Sequence, residues 1–434
     1  MSVLFKNAKI LSTENGKFKV IENGFLGVDG NTIDYIGSEK PSKEYSEVKD
    51  MYNKILMPGL VNCHGHAGMT LLRGVGSDLP LMDWLHVIWP IEDKLRNCDF
   101  ENGTNLAILE MLACGTTCFA DMYFKPALSQ KCIGQSGIKA NITRVIMGGE
   151  NTEYESFANR VEAIELKKNF DGAYDGRLSI DWSVHGQYTI DPAIAVKWGE
   201  ELNTLGGRLH IHLSETKSEH ENCIRDFGVT PARWFEERGF FNLPTYAAHC
   251  VWCSDEDYEI LKKHGVTAVH NPESNMKLGS GFAPIPKMLA KGLKVAIGTD
   301  GCASNNNLNM FEEMHLAAVI HNGFNNNPTL MTPETVLKMA TITGAEALGR
   351  NNTGSLEVGK RADIIAVNTD VPHMKPDFNT PALLVYSAQG SDVTMTMVDG
   401  KVLYENGEYK TLDKEKIFAE FNDSVNYLSD FCSK

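Results

Sequence analysis

Two histidines, His64 and His66, close the apolar run Ile55-Leu56-Met57-Pro58-Gly59-Leu60-Val61. In a strand, side chains alternate between faces, so residues two apart point to the same side. Two imidazoles so placed supply adjacent corners of a metal coordination sphere. Further polar residues follow in chain order at the ends of later apolar runs. They are His212, with Glu215 three residues on, then His249, then Asp300 in Gly298-Thr299-Asp300-Gly301. Three imidazoles and a carboxylate form a ligand set for a divalent ion with an open position for water. Glu215, His249 and Asp300 would be available for proton transfer.

Taken singly, each of these residues has an ordinary structural explanation. A strand-end histidine usually makes a hydrogen bond, an Asp before Gly usually marks a turn, and Glu215 could cap a helix beginning near Ser218. Their joint recurrence in order is what points to a site. His210 lies two residues before His212, and we assign it to the packed interior. His86, His220, His264, His315, His321 and His373 fall in helices or loops and read as ordinary histidines. Cys250 and Cys253 have zinc-knuckle spacing but no second pair, so they read as core. The His-x-Glu and Pro-Cys-x-x-Cys signature of another zinc deaminase class is absent.

Eight β-rich runs carry these residues: 55–63, 117–120, 141–147, 178–184, 208–213, 246–251, 266–270 and 294–298. Helical patterns lie between them, including Gly103 to Cys114, Ile194 to Leu205, Asp255 to Lys263 and Pro286 to Lys291. More helical pattern follows from Met310 to His321 and from Pro333 to Leu348. This alternation predicts a (β/α)8 barrel, whose strands deliver functional residues at their C-terminal ends. Short strands and turn signals occupy both ends of the chain, including Asp29-Gly30 and Asp399-Gly400. We expect the ends to meet in a small β domain of sandwich type. The division is 1–57 with 352–410 for that domain, 58–351 for the barrel, and 411–434 for a C-terminal helical segment.

The 434 residues are 42% hydrophobic and 22% charged, an ordinary globular composition. A formal charge of -15 argues against nucleic acid or an anionic membrane as partner. No apolar run has the length to cross a bilayer, and the N-terminus lacks a secretory pattern. Ten scattered cysteines favour reduced thiols and a cytoplasmic setting.

The blocks PGLVNCHGHAGMTLLRG (58–74), HLSE (212–215), AAHC (247–250), HNPESNMKLGSG (270–281), GTDGCASNN (298–306) and GKRADIIAVN (359–368) resemble the amidohydrolase superfamily. Within it, they are most similar to the 5-methylthioadenosine/S-adenosylhomocysteine deaminases, along nearly the whole chain. Two-metal members carry a bridging lysine on the fourth strand, where this chain has LSIDWSVHG (178–186). The resemblance therefore implies a single ion held by His64, His66, His212 and Asp300. Zinc is expected, although the ligand types also suit Fe2+ or another divalent ion.

The resemblance also implies substrate contacts. Glu92 would accept hydrogen bonds from the ribose hydroxyls and His185 would touch the purine. Arg144 and Arg160 would face the far end of the substrate, where a guanidinium suits a carboxylate. Trp84 would form an apolar wall. Arg160 reaching across a subunit boundary would imply a homo-oligomer. Two departures bear on the pocket: Glu273 stands where relatives often carry a small residue, and Gly186-Gln187 replaces a Ser-Pro type pair.

The expected reaction is hydrolytic deamination of an adenosine-type nucleoside such as 5-methylthioadenosine, S-adenosylhomocysteine or adenosine, releasing ammonia. Glu215 would protonate the ring nitrogen, His249 would orient the attacking oxygen, and Asp300 would pass a proton to the amine. The alternatives are a chlorohydrolase or aminohydrolase acting on triazines, a guanine-type free-base deaminase, and a barrel that has lost its chemistry. Retention of every ligand and acid-base residue weighs against the last.

Overall fold

The computed structural model describes residues 2–432. Strands β1 (Ser2–Glu14), β2 (Lys17–Asp29), β3 (Thr32–Gly37), β4 (Glu47–Asp50) and β5 (Lys54–Pro58) open the chain. Strands β6 (Leu60–Asn62), β7 (Thr116–Tyr123), β8 (Lys139–Arg144) and β9 (Leu178–Ile180) form a four-stranded sheet. A five-stranded sheet follows, made of β10 (Trp182–Val184), β11 (Leu209–Leu213), β12 (Thr245–His249), β13 (Thr267–His270) and β14 (Lys294–Ile297). The chain closes with β15 (Ile364–Asn368), β16 (Val393–Val398), β17 (Lys401–Glu405) and β18 (Glu408–Tyr409), then a helix over Lys414–Cys432.

All pairings inside the four- and five-stranded sheets are parallel. Both faces of a parallel sheet are covered, so its strands read as continuous buried runs rather than alternating ones. Every residue of β7, β11 and β12 is buried accordingly. Backbone hydrogen bonds join the two sheets at both edges. On one side Asp181 N donates to Ile142 O at 3.0 Å and His185 N to Ile146 O at 2.9 Å. On the other, Cys63 N donates to Ile297 O at 2.9 Å and Asp300 N to His64 O at 3.0 Å.

The remaining nine strands form one mixed sheet in the order β18-β17-β16-β15-β5-β1-β2-β3, with β4 paired to β1. Its two halves meet where β5 runs antiparallel to β15, from Pro58 opposite Ile364 to Lys54 opposite Asn368. The run 55–63, which reads as one strand, is two: β5 belongs to this mixed sheet and β6 to the parallel one. Gly59 makes the break. A Cβ there would lie 2.2 Å from the Thr117 side chain, so only glycine allows the chain to pass. The run 178–184 is likewise interrupted at Asp181, whose carboxylate accepts hydrogen bonds from Asn141 and Tyr246. The helical pattern from Pro333 to Leu348 is two short helices, Pro333–Met339 and Ile342–Ala347.

A buried ion cluster ties the mixed sheet to the parallel one. Lys139 Nζ on β8 lies 2.6 Å from Asp363 and 2.7 Å from Asp399, with all three side chains buried. The Asp399 amide also donates to Asp363. No described helix is long and apolar enough to cross a membrane. Lys139→Met removes the cation and leaves two buried carboxylates without it. We expect a loss of about 3–5 kcal/mol in urea unfolding.

Candidate active site

The strand ends of the two parallel sheets bring His66, His212, His249, Glu215 and Asp300 to the lining of one cavity, with His64 clustered against them. His64 Nε2 and His66 Nε2 lie 3.3 and 3.2 Å from Asp300 Oδ1. His66 Nε2 is 3.4 Å from His212 Nε2. Donor atoms of His64, His66 and Asp300 all lie within 4.8 Å of one another, as do those of His64, His212 and His249. Close strand approach makes this possible: a Cβ on Gly298 would sit 2.7 Å from the His64 amide nitrogen.

Each imidazole is aimed by a bond to its other nitrogen. His66 Nδ1 donates to Met122 O, and His212 Nδ1 to His185 O at 2.7 Å. His64 Nδ1 pairs with His210 Nε2 at 2.8 Å, and His249 Nδ1 with Asn275 Oδ1 at 2.8 Å. Such bonds select the tautomer that leaves Nε2 with a free lone pair. Asp300 is held by Ser274 and Ser304, whose hydroxyls donate to Oδ2 at 2.6 and 2.9 Å. Its other oxygen accepts the Gly301 amide at 2.8 Å. The backbone is left-handed at Ser214, His249 and Asp300, with φ of 47°, 73° and 63°. Non-glycine residues seldom adopt this region, and they cluster in it at functional sites.

The site fits a cation. His64 Nε2 is buried with no hydrogen-bond partner among the described residues, although it faces the carboxylate. Burial pushes Asp300 up, but the His64 and His66 imidazoles beside it outweigh this and hold it well below the usual carboxylate range. Burial also opposes charge on His66, yet Asp300 carries it up to about 9, whereas burial takes His64 down to about 4. One proton on His66 thus balances the carboxylate. A divalent ion, with nitrogen and oxygen donors around it, satisfies the same requirement.

Glu215 Oε2 lies 3.6 Å from His249 Nε2, and its Oε1 accepts from the Ser280 hydroxyl at 3.1 Å. Burial and the Asp300 charge raise its pKa. Glu215 does not cap the following helix, because Thr216 does. The mouth of the cavity is lined by the helix Leu81–Glu92, which contributes Trp84 and Glu92. Glu92 is buried rather than on the helix surface, and Tyr123 donates to its Oε1 at 2.7 Å. Burial pushes Glu92 up to about 7. The Trp84 indole nitrogen is buried with no partner among the described residues. The His185 ring lies 4.6 Å from that of His212 and lines the cavity.

Neither Arg144 nor Arg160 lines this cavity in the single chain. Arg144 donates to Glu162, to Asn159 Oδ1 and to Val145 O. Arg160 makes a two-pronged pair with Glu201, both contacts at 2.6 Å, and stacks over Tyr154. Val145, whose carbonyl accepts from Arg144, and Phe124, whose ring lies beneath its guanidinium, both line the cavity.

Sequence reasoning missed His210, Ser274, Asn275, Ser304, Tyr123 and Glu219 as parts of the site. A signal existed for some. His210 repeats the His-x-His spacing, Ser274 and Asn275 sit in the block HNPESN, and Thr216-x-x-Glu219 has helix-start spacing. Glu273 is partly buried and its amide donates to Glu313 at 3.3 Å, while Gly186 and Gln187 lead into a short turn over Gln187–Thr189. Tyr123→Phe removes the hydrogen bond that favours the Glu92 carboxylate. The Glu92 pKa is expected to rise above about 7, read from the pH dependence of its carboxyl infrared band.

The model for the amidohydrolase family matches residues 55–403. A 5-methylthioadenosine/S-adenosylhomocysteine deaminase from Thermoanaerobacter pseudethanolicus is 43% identical over 96% of this chain and 97% of its own. A 5'-deoxyadenosine deaminase from Methanosarcina acetivorans is 42% identical over 98% of each chain. Among solved structures, an adenosine deaminase from Xanthomonas campestris with bound zinc superposes with a TM-score of 0.92. It is 31% identical and covers 99% of this chain and 98% of its own. The chain belongs to the amidohydrolase family, in the group that includes the 5-methylthioadenosine/S-adenosylhomocysteine deaminases.

Proposed function

We propose that this protein, a hydrolase acting on carbon–nitrogen bonds, deaminates an adenosine-type nucleoside to the inosine-type product and ammonia. 5-Methylthioadenosine, S-adenosylhomocysteine and adenosine are the candidate substrates. The observation that carries the reading is the convergence of Asp300 and the buried imidazoles beside a protonatable Glu215. The names of the full-length relatives support the nucleoside class.

His64, His66, His212 and Asp300 would hold one divalent ion, zinc being the reading favoured by the zinc-bound relative. Such an ion supplies Lewis-acid activation of water, whose pKa falls to roughly 7. The water oxygen adds to the ring carbon bearing the amino group. Glu215 donates its proton to the adjacent ring nitrogen, so negative charge does not accumulate on the ring. Its raised pKa keeps that proton available. His249, fixed by Asn275, orients the attacking oxygen. Asp300 accepts the proton from that oxygen and hands it to the amine, which departs as ammonia. Glu92 would accept the ribose hydroxyls, His185 would contact the purine, and Trp84 would wall the pocket. Arg144 and Arg160 would face the far end of the substrate, Arg160 from across a subunit boundary.

The nine parallel strands, with β9 and β10 as the two halves of one interrupted strand, close into a (β/α)8 barrel, supported by the backbone bonds at both sheet edges. Residues 58–351 form that domain, 1–57 with 352–410 a small β sandwich, and 411–434 a helical segment. Ten unpaired cysteines fit a cytoplasmic setting, and a homo-oligomer is the expected assembly.

The test is ammonia release from metal-loaded protein across 5-methylthioadenosine, S-adenosylhomocysteine, adenosine, guanine and triazines. Turnover of the nucleosides is expected; turnover of guanine or triazines alone would overturn the nucleoside assignment. Glu215→Gln should keep its metal while kcat falls about 10²-fold or more. Metal binding must displace the His66 proton, since its pKa of about 9 keeps it charged at neutral pH. Calorimetry at pH 7.5 in buffers of different ionisation enthalpy should show about one proton released, with affinity rising as pH increases toward 9.

A further inference from the structure

Glu219 is a buried carboxylate beside the cavity to which the proposed chemistry gives no task. Its Oε1 accepts the Ser214 amide at 2.9 Å and its Oε2 the Glu215 amide at 2.7 Å. These consecutive amides belong to the bend that leaves β11, where Ser214 has a φ of 47°. Holding both fixes the peptide planes on either side of Ser214, and with them the direction in which the Glu215 side chain leaves the backbone. Glu215 has little else to hold it, since its carboxylate accepts a single hydrogen bond, from Ser280, among the described residues.

Helix capping does not explain this geometry. In a capping box, the third helical residue returns to the amide of the N-cap residue. Here the N-cap is Thr216, whose hydroxyl accepts the Glu219 amide at 3.1 Å. The Glu219 side chain passes over Thr216 and takes the two amides before it. It therefore binds the segment that carries Glu215, while the helix Lys217–Phe227 provides the rigid base.

We infer that Glu219 is a positioning residue, whose grip on the Ser214 and Glu215 amides aims the Glu215 carboxyl at the substrate ring nitrogen. The inference rests on the acid role proposed for Glu215. Glu219→Gln keeps the shape but offers one amide an acceptor and the other an NH2 group. Glu219→Asp keeps the charge but is too short to reach both. In either variant kcat is expected to fall about 10- to 100-fold, as a small misplacement of a reacting group can cost this much. KM should stay within about twofold and metal content should be unchanged.

The decisive measurement is a double-mutant cycle. Introduced into Glu215→Gln, the Glu219→Gln change should cost nothing further, because the group it aims is already disabled. Equal losses in both backgrounds would show a general structural role and overturn the inference. So would wild-type turnover in Glu219→Gln alongside a disabled Glu215→Gln. Wild-type turnover in Glu215→Gln would instead remove the proposed acid itself, and the inference with it.

Discussion

A carboxylate taken out of water must meet positive charge or remain protonated. Asp300 is buried, yet it is held in its ionised form, and much of the site follows from that. Two hydroxyls and an amide satisfy its oxygens. His64 and His212, buried in the cluster around it, resist charging. The outcome is a cluster of electron-pair donors with a deficit of cations, built at the one place where several strand ends meet. Such a cluster costs folding free energy and is rewarded when a cation arrives.

The supporting residues follow the same logic at one remove. His210, Asn275, Met122 O and His185 O each occupy the ring nitrogen that faces away from the cavity. Left-handed backbone at His249 and Asp300 turns these side chains inward at the point where the strands end. Because β12 is paired on both sides and β14 along β13, with both buried at their C-terminal ends, they can impose these conformations and keep them. Rigid scaffolding and local strain are two aspects of one design.

How much of this was legible in the sequence depends on the range of the interaction. Strand-end histidines stand out because an apolar run stops at them, and the eight runs carrying them were found within a few residues of their observed bounds. The break at Gly59 was hidden, since both β5 and β6 are buried and the apolar run passes through it without a change of pattern. The arginines are a different case. A matched motif places Arg144 and Arg160 in the chain, but Glu162 and Glu201, which engage them, come from elements that no local pattern connects to them. Glu92 shows the converse: a glutamate on a helix reads as solvent-facing until the tertiary packing buries it.

The pairing of β5 with β15 has a consequence for how the protein is made. Strand β5, which precedes β6 and the His64–His66 segment, is stitched on one side by chain that leaves the ribosome near the end of synthesis. Until β15 arrives, β5 exposes an unpaired edge just upstream of the first two histidines. Capture of a metal ion in its final geometry therefore belongs to the completed polypeptide. A nascent or C-terminally truncated chain holds the donors but lacks the frame that brings them into register.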